Sequence, residues 1–166
     1  MNTKRAVMLA VLLAMSIVLS IVESFLPTFG IVGAKLGLAN IITIVLLYTF
    51  NDKDAFMIVI LRILLVPLLR GFNLPTFLLS LSGGMLAFFL MWVFKRLKIF
   101  NVISVSVMGS LGHAVGQIVM AMFILDLPQI ALYLPVLLAI AVPTGFFVGF
   151  TGNTLNQRFK EIYNYE

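Results

Sequence analysis

The sequence predicts an all-α membrane protein of six transmembrane helices, one integral domain spanning 1–166, with both termini cytoplasmic. Three observations predict this. Of 166 residues, 62% are hydrophobic and only 10% charged, with a mean hydropathy of +1.16. Soluble domains carry about 25% charged residues, and a soluble chain this apolar would have to expose apolar surface everywhere. The apolar residues also fall into six runs with no barrel-like alternation. In lipid the backbone must satisfy its own hydrogen bonds, so these runs are helices. Finally, with the N-terminus inside, the inner segments hold Lys4, Arg5, Lys53, Lys95, Arg96, Lys98, Arg158 and Lys160, against Lys35 and Arg70 outside. That asymmetry sets the orientation and requires an even number of spans. It also accounts for the pI of 9.8 without nucleic-acid binding.

The first run covers residues 6–26 and stops at Pro27. Its basic start resembles a signal peptide, but the uncharged stretch is long for one and no small-x-small cleavage site follows, so a retained helix is expected. Residues 36–50 and 55–69 are short for a span of roughly 20 residues. They are expected to lean on protein or to thin the bilayer locally. A loop over 27–35 precedes the second run, and the turn Asn51–Asp54 precedes the third. Residues 74–94, 102–125 and 129–150 complete the set.

Catalytic signatures are missing. The chain has no cysteine and no GxxxxGK[ST], HExxH or Ser/His/Asp arrangement. Asp52 and Asp54 flank Lys53 in a tight turn, a thin basis for the aspartate-rich clusters that hold magnesium and diphosphate. His113 is the sole histidine, and one histidine without Cys or carboxylate company is a poor metal site. No cofactor, metal or catalytic residue is expected.

The polar residues inside the runs gather towards the outer half. At 1.5 Å per residue, Arg62 lies near mid-membrane, where a charged side chain costs at least about 2.5–3.5 kcal/mol on insertion scales. His113 is equally deep, and Gln117 is one turn further out on the same face. Asn40, Glu23, Ser80 and Ser82 lie in the outer half; Lys35, Arg70, Asn73 and Asp126 rim the mouth. Packing readings stand beside functional ones. Arg62 can pair with Glu23, His113 and Gln117 can bond between helices, Ser82 can ease packing beside Gly83 and Gly84, and Lys35 can snorkel. Together, Lys35, Asn40, Arg62, Arg70, Ser82, His113 and Gln117 outline an outward-facing, cationic pocket for a small anionic or carbonyl-rich ligand. Ala6, Ala10 and Ala14 form a smooth stripe on the first helix that lets another helix approach closely.

GAKLGLANIITIVLLY (33–48), Arg62, LSLSGGMLA (79–87) and GSLGHAVGQIVMA (109–121) resemble a bacterial membrane family called Gx transporters, also labelled heptaprenyl diphosphate synthase component I. The resemblance covers residues 6–152. The family is similar to the substrate-binding S components of energy-coupling factor (ECF) transporters. That likeness implies a six-helix bundle in the bacterial plasma membrane, a gating loop over 27–35, and docking of a transmembrane coupling subunit on Ala6, Ala10 and Ala14, with two ATPase subunits supplying energy. It implies uptake of a vitamin- or cofactor-like small molecule by a protein that is not an enzyme. The other label implies a non-catalytic accessory component of polyprenyl diphosphate synthesis for menaquinone or isoprenoid supply, with its essential residues on the cytoplasmic loops. A self-sufficient ion-coupled carrier is disfavoured, since no carboxylate sits at mid-membrane and no inverted repeat is evident.

Overall fold

The computed structural model describes residues 3–25 and 37–164. It contains six α-helices: α1 (Thr3–Glu23), α2 (Asn40–Thr49), α3 (Asp52–Arg70), α4 (Leu74–Arg96), α5 (Val102–Leu125) and α6 (Leu134–Asn164), with a short 3-10 helix, Pro128–Tyr133, leading into α6. α1, α4, α5 and the Pro128–Phe159 stretch are long and apolar enough to cross a membrane. α3 has 19 residues but five charged side chains.

Helices α1, α3, α4, α5 and α6 form a curved wall in that order of neighbours, and α2 fills the hollow, packing on all five. Every residue from Asn40 to Leu47 is buried. At 10 residues α2 is about 15 Å long, half of a bilayer core of about 30 Å. Its short length is tolerated because protein, not lipid, surrounds it.

Glycine sets how closely the wall packs. An added Cβ at Gly109 would meet Met91, at Gly112 Leu90 Cδ1 at 2.6 Å, and at Gly116 the Ser82 carbonyl oxygen at 2.6 Å. These three lie on one face of α5 and form its seam with α4. Gly145 and Gly149 make the seam between α6 and α5, where a Cβ would come within 2.7 Å of Val107 Cα and 2.8 Å of Ile103 Cα. Close backbone approach replaces the hydrophobic driving force that lipid cannot supply.

Charge marks one end of the bundle. Asp52 accepts bonds from Lys95 Nζ at 2.7 Å, Arg96 Nη2 at 2.8 Å and Trp92 Nε1 at 3.1 Å, and Arg5 pairs with Asp54. Thr49 Oγ1 donates to Asn156 Oδ1 at 2.6 Å. The starts of α1 and α3 therefore meet the ends of α4 and α2 and the late turns of α6.

Candidate functional site

At the opposite end, the last residue of α1 meets the approach to α2. Gly37 takes φ +89°, a conformation glycine reaches without cost. A Cβ there would also sit 3.0 Å from Asn40 Nδ2. The turn aims two amides at Glu23: Gly37 N donates to its Oε1, and Leu38 N donates to the same atom at 3.1 Å. α2 has no side-chain cap of its own at Ala39, so a carboxylate from α1 serves amides at its N-terminus, the end that favours negative charge. Glu23 is only 3% exposed.

Arg62, in the middle of α3, is 5% exposed, and the Glu23 carboxylate is its electrostatic partner. Its Nη1 and the Nδ2 of Asn40 have no hydrogen-bond partner among the described residues. Between them lies a cavity of about 20 Å³, lined by Ser20, Glu23, Gly37, Asn40, Arg62, Ser80 and His113 with the apolar Ala39, Ile63, Val66 and Pro67. That volume admits about one water. Towards Arg70 a hollow of about 220 Å³ adjoins it, sharing Val66, Pro67 and Ser80 and reaching Gly71, Asn73 and Thr76.

Three residues predicted from the sequence thus converge on one cavity: Asn40, Arg62 and His113. Gln117 is buried on the same face of α5 as His113, and both pack against Gly83, where a Cβ would meet Gln117 Cγ at 2.8 Å and His113 Cε1 at 3.1 Å. Gln117 is not part of the cavity wall. Arg70 stands in the adjoining hollow, its guanidinium 5.8 Å from the centroid of the Phe25 ring. Ser82 faces elsewhere and donates to the Leu79 carbonyl at 3.2 Å; Ser80, two residues earlier and so about 200° round the helix, lines the cavity instead. Lys35 and the 27–35 loop lie outside the described residues. In the stripe on α1, Ala10 and Ala14 are exposed and Ala6 is partly so.

The site residue that sequence spacing undervalued is Glu23, which stands at the end of a run and looks like an interfacial charge. The signal for it was electrostatic: a deep guanidinium needs an anion, and Glu23 is the nearest carboxylate by depth. No cluster of three His, Cys, Asp or Glu able to hold a metal ion occurs among the described residues. The acidic turn is engaged by Lys95, Arg96, Trp92 and Arg5.

Helices long and apolar enough to cross a membrane, packed around a buried polar cluster, give the bundle the character of a membrane protein with an internal polar cavity. Residues 12–155 match the family model described as heptaprenyl diphosphate synthase component I. The chain belongs to that family. No curated protein and no solved structure matches it.

Proposed function

We propose that this chain is a non-catalytic membrane component that works with partner proteins, and that its task is to hold the carbonyl or anionic group of a small vitamin- or cofactor-like molecule at the Arg62 cluster. One observation carries the reading. Arg62 Nη1 and Asn40 Nδ2 are buried donors without acceptors around a cavity, and a buried donor left unsatisfied costs about 1–3 kcal/mol. A ligand bringing acceptors would satisfy both. Ligand reaches the cluster from the Arg70 end, which the positive-inside asymmetry puts outside. The transport form of the reading makes the protein an S component in the bacterial plasma membrane, with Ala6, Ala10 and Ala14 docking a coupling subunit and two ATPases driving release inwards. In support, Ala10 and Ala14 are exposed on a helix that packs, among the described residues, only against α2 and α3.

The test is native mass spectrometry of purified protein for a co-purifying small molecule. It should be present on the natural chain and lost from Arg62→Gln, while both insert and melt cooperatively. Equal retention would remove Arg62 from the site. Ala10→Trp should keep the small molecule and lose the coupling subunit in a pull-down; a surviving pull-down would refute the docking stripe.

A second reading has the family description behind it: an accessory component of polyprenyl diphosphate synthesis whose soluble catalytic partner docks at the basic end. It predicts that charge reversal at Lys98 abolishes synthase activity in membranes, whereas Arg62→Gln spares it. The recognition reading predicts the opposite pattern.

A further inference from the structure

A second, larger hollow stands apart from the Arg62 cavity. A trough of about 760 Å³ lies between the first turns of α4, the last turns of α5 and the 3-10 helix, within the range of about 300–1,000 Å³ usual for small-molecule sites. Its walls are apolar apart from Gln129, with Leu79, Ala121, Ile124 and Ile130 among them, and Asn73 and Thr76 stand in the wall it shares with the 220 Å³ hollow that holds Arg70. Apolar length thus leads into a chamber that holds Arg70, while Asp126, between the trough residues Leu125 and Leu127, is in neither wall. The amide of Thr76 is already bonded by Asn73 Oδ1 at 3.1 Å. The α4 N-terminus therefore adds only its positive end to the field, and Arg70 is the direct contact. The guanidinium is exposed, packs over Phe25 and forms no ion pair among the described residues.

We propose that this trough takes the single apolar chain of a membrane-dissolved amphiphile and that Arg70 takes its anionic head. One cation takes one head. The proposal does not depend on the Arg62 cluster, which shares no residue with the trough.

The probe is dodecyl phosphate, added to full-length protein in a non-ionic detergent and followed by native mass spectrometry. One adduct per chain is expected, while dodecanol and inorganic phosphate, which offer only tail or only head, are not retained. Arg70→Gln, at an exposed site, should lower retention at least about tenfold, the worth of one charge-assisted hydrogen bond. Ile124→Trp should lower it comparably by filling the trough while Arg70 remains. Unchanged retention in Arg70→Gln, or in an Ile124→Trp protein that melts as the natural chain does, overturns the proposal. So does retention of inorganic phosphate as strong as that of dodecyl phosphate. Preferential retention of two-chain phosphatidylglycerol would overturn it too, because the site would then be an ordinary lipid contact.

Discussion

Replacing Gly116 with alanine should be much more damaging than the same change at Gly109, although both lie on the same face of α5. At Gly116 the new Cβ would stand 2.6 Å from the Ser82 carbonyl oxygen, 2.9 Å from its carbon and 3.0 Å from Gly83 Cα, where ordinary contacts begin at 3.4 Å. All three are backbone atoms of α4, so no rotamer relieves the clash. The helices must part by about 0.8 Å locally, the shortfall between 2.6 and 3.4 Å, and the seam loses contacts along its length. Overpacking of this kind costs about 1–3 kcal/mol. At Gly109 the Cβ would meet Met91 Cγ at 2.5 Å and Sδ at 2.7 Å; these are side-chain atoms, which an unbranched thioether can move by changing rotamer, though the fully buried Met91 must repack to do so. Alanine also regains about 0.5–1 kcal/mol of helix preference at either site, which cancels in the comparison. Thermal unfolding in detergent, followed by circular dichroism, should show Gly109→Ala lowered less than Gly116→Ala. Gly116→Ala should melt several degrees lower, at about 2–4 °C per kcal/mol for a chain of this size. Equal shifts for the two variants would refute the backbone-contact argument.

Three further outcomes follow from the ion pairs and caps. Lys95, with Arg96 and Trp92, outweighs burial and holds the Asp52 carboxyl at about 2. A folded pKa below the unfolded value of about 3.9 stabilises above pH 4, and the benefit fades as pH falls from about 4 towards 2. After solvent screening it amounts to about 1 kcal/mol, so the gap between the melting curves of the natural chain and Asp52→Asn should narrow from pH 4 to pH 2 and close below it; a constant gap would count against the clamp. Glu23→Gln keeps an acceptor for the Gly37 and Leu38 amides but strands the Arg62 charge, at a cost of about 3–5 kcal/mol. Adding Arg62→Met should recover most of that in detergent-denaturant titration, and simple additivity of the two changes would deny the coupling. Asn73→Ala removes the cap on Thr76 N and should cost about 1 kcal/mol, read as faster amide exchange in the first turn of α4; unchanged exchange would show that the cap contributes nothing.

Where hydropathy breaks coincide with capping chemistry, the helices were legible in the sequence. α5 begins and ends where its apolar run does, because Asn101 caps Ser104 N at 2.7 Å and Asp126 closes the end in the left-handed region. α4 starts at Leu74 for the same reason. α6 departs from its expected 129–150 at both ends. Pro128–Tyr133 turns as a 3-10 helix first, and the true helix continues past Phe150 through polar residues such as Asn153 and Asn156, which an apolar-run criterion cannot follow. α2 is shorter than 36–50 because Gly37 adopts a positive φ. In the site, depth put Arg62 and His113 at one level and Asn40 just beyond them, and residues at neighbouring levels of a bundle tend to meet. Rotation about a helix axis is what depth does not give: it separates Ser80 from Ser82, and it needs the packed neighbours to decide it.

The encased position of α2 has a consequence for how the chain is made. It is synthesised before α6, yet part of its enclosure comes from that helix: Gly152 packs on Ile44, and Asn156 bonds Thr49 across 107 residues of chain. Until α6 emerges from the ribosome, a stub half the thickness of the bilayer stands with an open flank. Quality-control proteases should therefore clear chains truncated before residue 134 even when every segment present is intact.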